Sequence, residues 1–179
     1  MGPKLSRNTF AFGVTSFLVD VSSEMLTPIM PLFLLNVLKA NAFVIGLIEG
    51  VSDLIVASFR AFSGYVSDKI GRRKGMSTIG YFISSIMKMF FVFATSWPQV
   101  LGIRMVERFG KGIRGVPRDA IISYSERTEN LGKAFGYRKM MDAAGAILGP
   151  IIALAIAAYF LPALGEEMTY RVIFAIAVF

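Results

Sequence analysis

One otherwise apolar stretch, residues 98–124, carries its charged side chains on a single face of a helix. At 100° per residue, five cations and one carboxylate fall within an arc of about 120°, and the opposite face is apolar. The cations are Arg104, Arg108, Lys111, Arg114 and Arg118, and the carboxylate is Glu107. Such a stripe suits the binding of an anionic compound in a wet cavity, or pairing with acids on neighbouring helices. Too few acids lie close to the stripe to neutralise it, which favours binding; for Arg104 and Arg118 both alternatives stay open.

Two carboxylates in the stretch 9–38 are candidates for proton chemistry. Asp20 and Glu24 are four residues apart and therefore share one helical face. Each disfavours ionisation of the other, and partial burial adds to that effect. They are candidates for reversible protonation in a chain without histidine. The alternative is that they are fixed counter-ions for the cations of residues 98–124. The two interpretations are compatible if Arg104 binds a carboxylate at one stage and a ligand at another.

Residues 43–67 carry a polar stripe made of Glu49, Ser52, Asp53, Arg60 and Ser63. The favoured interpretation of this stripe is a layer of ion pairs at a helix interface. A lone cation, Lys88, lies between two methionines of the stretch 76–96. It either snorkels to the membrane surface or reaches a cavity, and the sequence leaves that choice open.

Small residues recur every four positions in the stretch 135–161, at Gly145, Gly149 and Ala153. This spacing lets another helix approach closely. Pro150 adds an expected bend, because proline removes one helical hydrogen bond. The pattern predicts a tightly packed helix, in which Arg138 and Asp142 precede the small residues.

The composition explains why charges at these positions matter. Of 179 residues, 55% are apolar and 17% are charged, and the mean hydropathy is +0.61. An ordinary soluble domain has about 45–50% apolar and about 25% charged residues. The chain has neither Cys nor His, which argues against a disulfide framework, a zinc site and histidine-based catalysis. We expect an integral membrane protein with no metal, no cofactor, no nucleic-acid partner and no enzymatic activity.

A spanning helix needs about 20 mostly apolar residues. The chain contains five such stretches and the start of a sixth, at residues 9–38, 43–67, 76–96, 98–124, 135–161 and 170–179. The last covers about 15 Å, whereas the hydrocarbon layer is about 30 Å thick. The predicted fold is therefore an all-α membrane protein with five complete helices and a truncated sixth. We expect it to be part of a longer protein, and a complete half-sized protein is the alternative.

Lysine and arginine residues are distributed unequally between the two predicted sides. Eleven fall on the side of the N-terminus, two fall opposite, and six lie within the predicted spans. The eleven are Lys4, Arg7, Lys69, Arg72, Arg73, Lys74, Arg118, Arg127, Lys133, Arg138 and Lys139; the two are Lys39 and Arg171. Cytoplasmic loops carry an excess of such residues. The asymmetry predicts a multi-pass protein of the cell membrane with a cytoplasmic N-terminus.

The most specific motif follows the second predicted span. Residues 64–73 read Gly-Tyr-Val-Ser-Asp-Lys-Ile-Gly-Arg-Arg. Five of them, Gly64, Asp68, Gly71, Arg72 and Arg73, match the loop G-x-L-A-D-R-x-G-R-R/K of the major facilitator superfamily, which the chain resembles. The resemblance implies that this loop, together with Arg118 and Asp119 later in the chain, forms a cytoplasmic gate. Near a helix terminus, Asp68 would pair with basic groups there.

Three further segments are similar to motifs of that superfamily, in the same order. Residues 104–112 resemble R-x-x-Q-G-x-G-x-G, with Arg104 in the place of the arginine implicated in proton coupling; a Glu replaces the Gln and an Arg the first Gly. Residues 28–31 resemble the P-x-x-P ending of a motif of twelve-helix drug–proton antiporters, without its upstream Gly. The antiporter motif G-x8-G-x3-G-P is matched at Gly136, Gly145, Gly149 and Pro150.

The resemblance implies the N-terminal six-helix half of a transporter whose halves rock about a midplane site. It assigns six residues to the cavity and three charged residues to the interface between halves. The cavity residues are Asp20, Glu24, Arg104, Arg108, Lys111 and Arg114, and the interface residues are Glu49, Asp53 and Asp142, near Gly145 and Gly149.

The expected function is proton-coupled efflux of a small amphipathic or anionic compound, of the kind associated with multidrug resistance. Asp20 and Glu24 would carry the proton, Arg104 would couple it, and Arg108, Lys111 and Arg114 would bind substrate. The expected partners are that compound, protons, the lipid bilayer and a C-terminal half that lies outside this chain. An organic-anion uptake carrier is one alternative, and a non-transporting fragment or half-length subunit is another.

Overall fold

The helices of this chain begin and end at residues whose chemistry favours those boundaries. The computed structural model describes residues 5–178, so Lys4 and Phe179 of the predicted topology lie outside the described residues. Within this range the elements are α1 (Arg7–Leu32) with a π-helical turn (Phe33–Val37), α2 (Ala42–Ile70), α3 (Arg73–Phe91), α4 (Trp97–Ser125), a 3-10 turn (Thr128–Asn130) and α5 (Leu131–Ile176). Residues 5–178 contain no strand, and the predicted all-α architecture is confirmed.

Side-chain caps and glycines define these boundaries. Ser6 accepts a hydrogen bond from the Thr9 N–H at 3.2 Å, and Asn41 accepts one from the Val44 N–H at 2.9 Å. Both bonds satisfy amides that a helix N-terminus leaves unpaired. Gly71 ends α2 with a φ of 71°, a left-handed conformation that glycine adopts without strain. Gly165, with φ 73°, breaks α5 into residues 131–164 and 166–176.

Two groups of helices make up the bundle: α1 packs mainly on α5, and α4 packs on both α2 and α3. Glycines make the closest approaches possible. A Cβ on Gly149 would lie 2.6 Å from the Val21 carbonyl oxygen of α1, and one on Gly112 would lie 2.9 Å from Cβ of Phe59 in α2. Contacts this close leave no room for a larger residue at either glycine.

The bundle has an apolar end and a polar end. At the end where α1 turns into α2, buried apolar side chains from four segments pack together, among them Phe33, Phe91, Val100 and Phe174. Phe33 and Phe174 meet edge to face with their ring centroids 5.1 Å apart. Three of the six buried charged side chains among residues 5–178, Arg114, Arg118 and Arg138, lie toward the other end, whereas apolar packing closes the opposite side.

Three of the described helical segments are long and apolar enough to cross a membrane: Arg7–Val37, Ala42–Ile70 and Thr128–Ile176. The seven charged residues of α4 keep its hydropathy low. Large apolar side chains nevertheless cover the outside of the bundle; Phe43, Phe82, Phe93 and Tyr159 are each at least 66% exposed. A surface of this kind is suited to lipid, as expected for a membrane protein.

Candidate functional site

A cavity of about 340 Å³ lies among α1, α2, α4 and α5. Its size falls within the range of about 300–1,000 Å³ that is usual for small-molecule sites. Eight of its lining residues are charged. The lining consists of Asp20, Glu24, Arg60, Lys111, Arg114, Gly115, Arg118, Lys139, Asp142, Ala143 and Ala146.

The two carboxylates of α1 face two cations of α4 across this cavity. Asp20 Oδ1 lies 3.7 Å from an Nη atom of Arg114, and Glu24 Oε1 lies 3.6 Å from Nζ of Lys111. The hydroxyl of Thr27 also donates to Glu24, at 3.1 Å. Asp20 and Glu24, predicted to carry the proton, therefore lie next to Lys111 and Arg114, which are two of the three residues predicted to bind substrate.

Two glycines of α5 pack closely against α1 at the residues that carry these carboxylates. A Cβ on Gly145 would lie 3.0 Å from Cβ of Asp20, and one on Gly149 would lie 2.9 Å from Cβ of Glu24. The same two glycines belong to the predicted antiporter motif. Its first glycine, Gly136, has no atom within 4 Å of an added Cβ, and Pro150 is half-buried inside α5.

Arg114 is the most buried cation that lines the cavity, with 4% of its side chain exposed. Its guanidinium lies over the ring of Tyr81, 4.5 Å from the centroid. Its Nη1 is buried and has no hydrogen-bond partner among the described residues. This nitrogen therefore lies within the cavity wall without an acceptor.

A second cluster, in the bundle interior, contains the remaining predicted cations of α4. Glu107 Oε2 lies 3.4 Å from Nη1 of Arg104 and 3.6 Å from Nε of Arg108, and Ser84 donates to its other oxygen at 3.2 Å. Glu49 of α2 lies 3.7 Å from Arg104. Neither Arg104 nor Arg108 lines the cavity, whereas the sequence assigned both to it. Their immediate partners are acids.

A third cluster joins α1, α4 and α5 near the polar end. Asp119 lies 3.2 Å from Nε of Arg118 and 3.4 Å from Nη1 of Arg138, which in turn lies 3.1 Å from Asp142. Arg118 also donates to the hydroxyl of Ser16 at 2.7 Å. Asp142 thus belongs to the cavity wall and to this cluster, whereas Asp53 is exposed and has no ion-pair partner among the described residues.

The predicted gating loop joins the end of α2 to the start of α3. Asp68 accepts a hydrogen bond from Arg73 at 2.8 Å, and this bond raises the pKa of the Arg73 guanidinium. The same guanidinium lies 4.5 Å from the ring centroid of Tyr124, at the end of α4. Gly64 faces Val116 of α4, and Arg72 precedes α3 at the helix boundary. The loop is therefore held against α4.

The start of α1 is held against the end of α4 at the same end of the bundle. The Ser6 N–H donates to Glu126 Oε1 at 2.7 Å, and the Asn8 amide donates to Ser125 at 3.0 Å. Hydrogen bonds from Thr9 and Ser6 lower the pKa of the Glu126 carboxyl, because they favour its charged form.

The sequence did not assign Arg60 or Lys139 to the cavity. It placed Arg60 in an ion-pair layer and counted Lys139 as a cytoplasmic anchor, yet both line the cavity. Helical spacing could have predicted this position of Lys139, because Lys139, Asp142 and Ala146 lie on one face of a helix. Lys88, for which the sequence allows two positions, is buried and donates to Ser22 at 2.7 Å.

An all-α bundle that is apolar outside and encloses a charged cavity has the architecture of a polytopic membrane transport protein. The sequence profile described as Major Facilitator Superfamily matches residues 12–179, and the chain belongs to this family of transporters. Members of the family act on small molecules within the membrane.

Comparison with known proteins gives relatives in archaea and bacteria. An uncharacterized MFS-type transporter of Methanocaldococcus jannaschii is 42% identical over 156 residues, which are 87% of this chain and 39% of the relative. A protein of Lactococcus lactis named a multi-drug resistance efflux pump PmrA homolog is 28% identical, over 87% of this chain and 40% of its own length. The multidrug resistance protein MdtH of Photorhabdus laumondii is 25% identical, over 76% of this chain and 34% of its own length. The chain thus spans about two fifths of the length of the first of these relatives.

Proposed function

We propose that the chain forms one half of a proton-coupled exporter of a small amphipathic or anionic compound. The observation that carries this proposal is the pairing of Asp20 with Arg114 and of Glu24 with Lys111 across one cavity. Two relatives are named as multidrug resistance or efflux proteins, which supports the direction of transport. The proposed location is the cell membrane, with the N-terminus in the cytoplasm.

The proposed coupling is an alternation of proton and substrate in the cavity, as export driven by entering protons requires. Substrate binds while Asp20 and Glu24 are ionised, and protons that these carboxylates take up on the outer side displace it. Release of the protons on the cytoplasmic side, favoured by the cations opposite, restores the ionised carboxylates for the next substrate. Arg104 would act through the second cluster, in which it links Glu49 of α2 with Glu107 of α4.

We also propose that a second bundle completes the cavity. The relatives are more than twice as long as the matched segment, and this family alternates access by rocking two halves about a central site. Glu49, Asp53 and Asp142 are the residues that we assign to the interface between the halves.

Transport by proteoliposomes that contain the full-length protein tests the coupling. Two fluorescent probes are used, cationic ethidium and anionic carboxyfluorescein, with and without an imposed pH gradient. The double variant Asp20→Asn/Glu24→Gln is expected to lose gradient-driven transport of whichever probe the wild type moves. The matched control, Glu129→Gln/Glu166→Gln, removes two exposed carboxylates outside the cavity and is expected to keep it. Full gradient-driven transport by the cavity variant would falsify the proton role.

A carrier that takes up organic anions is the second candidate function. The observation that favours it is the excess of cations over carboxylates in the cavity lining, which attracts anions whichever way they move. Counterflow without a pH gradient separates the two functions. An uptake carrier exchanges carboxyfluorescein across the membrane without any gradient, whereas the proposed exporter needs the gradient to accumulate it.

A further inference from the structure

Two cations in the cavity are not neutralised by any acid. Arg60 of α2 and Lys139 of α5 line it, both are exposed, and within residues 5–178 no carboxylate oxygen lies within 4.0 Å of either side-chain nitrogen. By contrast, the lining cations Lys111, Arg114 and Arg118 each have an acid within 3.7 Å. Arg60 and Lys139 therefore differ from their neighbours in having charge left over.

The charge balance of the whole lining gives the same result. Five cations and three carboxylates face the cavity, an excess of two positive charges. Two further charged residues, Asp119 and Arg138, pair with lining residues from behind: Asp119 with Arg118, and Arg138 with Asp142. Their opposite charges cancel, so the excess of two stays the same. The two uncompensated charges are those of Arg60 and Lys139.

The backbone leaves room for Arg60 at this place. Nε of Arg60 lies 3.4 Å from the position that a Cβ would occupy on Gly115 of α4. Gly115 therefore allows the guanidinium to lie close along α4, next to Arg114.

We propose that the cavity binds its substrate through a doubly charged oxyanion group, such as a phosphate monoester or a dicarboxylate. Arg60 of α2 and Lys139 of α5 hold the group between them. Charged hydrogen bonds of this kind are the strong ones, and arginine matches the oxygen spacing of carboxylate and phosphate. This inference rests on the proposed transport function, because it names the class of compound that the cavity takes.

Equilibrium binding tests this inference without any gradient. The full-length protein is placed in nanodiscs of phosphatidylcholine alone and titrated calorimetrically at pH 7.5 with glycerol 3-phosphate, succinate, acetate and ethidium. The two dianions are expected to bind at least about tenfold more tightly than acetate, because a second cation contributes about a factor of ten. The variant Arg60→Gln/Lys139→Gln is expected to lose about a hundredfold in affinity for the dianions. Because both side chains are exposed and unpaired, the variant is expected to elute as the wild type does.

The matched control is Lys69→Gln/Arg127→Gln, which removes the same charge from exposed residues outside the cavity. It is expected to bind the dianions within about twofold of the wild type, because distant exposed charges are screened. Equal dianion affinity in the cavity variant and the wild type would overturn the inference. So would tighter binding of ethidium than of either dianion, or no binding of either.

Phosphatidic acid distinguishes a soluble substrate from a lipid headgroup. Nanodiscs that contain it offer a phosphate monoester held in the bilayer. If the lipid displaces glycerol 3-phosphate from the wild type through Arg60 and Lys139, the occupant is a lipid and the assignment of a soluble substrate is overturned. Persistence of glycerol 3-phosphate binding supports it. Since no pH gradient is used, failure of proton coupling leaves this result unaffected, and the reverse also holds.

Discussion

Among residues 5–178, every buried cation except one has a carboxylate within 4 Å. Arg104 and Arg114 each lie within 3.7 Å of a carboxylate. Lys88 is 1% exposed, and within residues 5–178 no carboxylate oxygen lies within 4.0 Å of its ammonium, which donates to the Ser22 hydroxyl. The Ser22 hydroxyl itself donates to the Ala177 carbonyl. A buried ammonium that has only a hydroxyl as acceptor is costly.

Replacement of Lys88 by Met is therefore expected to stabilise the protein. Methionine has nearly the length of lysine without its charge, and Ser22 keeps its bond to Ala177. The free energy of unfolding should rise by about 1–3 kcal/mol, the usual penalty for a poorly compensated buried polar group. Thermal denaturation in detergent measures the change. Lys74→Met, at an exposed lysine of the same helix, should shift stability by less than about 0.5 kcal/mol. A loss of stability in Lys88→Met would show instead that the ammonium supports the fold.

For single residues, the sequence identified functional candidates better than it identified the residues that they contact. The spacing of Asp20 and Glu24 identified two carboxylates that the structure places in one cavity. Helical spacing reports which face a residue occupies, but it does not report which helix lies opposite. For that reason the sequence did not predict that Arg104 lies against Glu49 of α2, outside the cavity, or that Arg60 lines the cavity.

Among the elements, the contact between α1 and α5 positions the carboxylates. Gly145 and Gly149 bring the backbone of α5 against Asp20 and Glu24. The variant Gly149→Ala places a methyl group 2.6 Å from the Val21 carbonyl oxygen, which is backbone and has little freedom to move. We expect a loss of about 1–3 kcal/mol in the free energy of unfolding. Proton-driven transport should fall with it, because α1 must move away.

Gly136→Ala is the matched control for this prediction, because the same helix has open space there. Alanine favours a helix over glycine by roughly 0.5–1 kcal/mol, so this variant should be as stable as the wild type or more so. Thermal denaturation and transport are compared for the two variants side by side. Equal effects of both substitutions would contradict the packing argument.

The helical elements were predictable because apolar runs and turn residues are local signals. The all-α class is confirmed, and Gly165 breaks the last long helix between the predicted spans 135–161 and 170–179. The pairing of α1 with α5, and of α4 with α2 and α3, could not be predicted from the residues alone. Small residues indicate that a helix packs closely, but several partners satisfy the same spacing.

Across the whole molecule, two sets of contacts define opposite ends. At one end Ser6 bonds to Glu126, and Arg73 lies over Tyr124. At the other, Arg171 donates to the carbonyls of Val92 and Ala94, which follow α3. Its guanidinium lies 5.6 Å from the ring centroid of Phe33, in the π-helical turn. These contacts group the loops into two sides, and cations are unequally divided between them.

The positive-inside rule then predicts which side faces the cytoplasm. Three of the eleven predicted anchors, Arg118, Arg138 and Lys139, belong instead to the cavity or its wall. Seven described cations remain at the end that contains Ser6 and Glu126, against two, Lys39 and Arg171, at the other. The seven are Arg7, Lys69, Arg72, Arg73, Lys74, Arg127 and Lys133. The cations are therefore still unequally divided without these three residues, and the positive-inside rule still predicts a cytoplasmic N-terminus.

The absence of cysteine makes this orientation directly measurable. Single variants Glu129→Cys and Glu166→Cys place a thiol at exposed residues near opposite ends. A membrane-impermeant maleimide is expected to label Glu166→Cys in spheroplasts, and to label Glu129→Cys only in inside-out vesicles. The cysteine-free parent is the control for background labelling. The reverse pattern would place the cavity clusters nearest the outer surface, and the positive charge of this chain would then need an explanation other than topology.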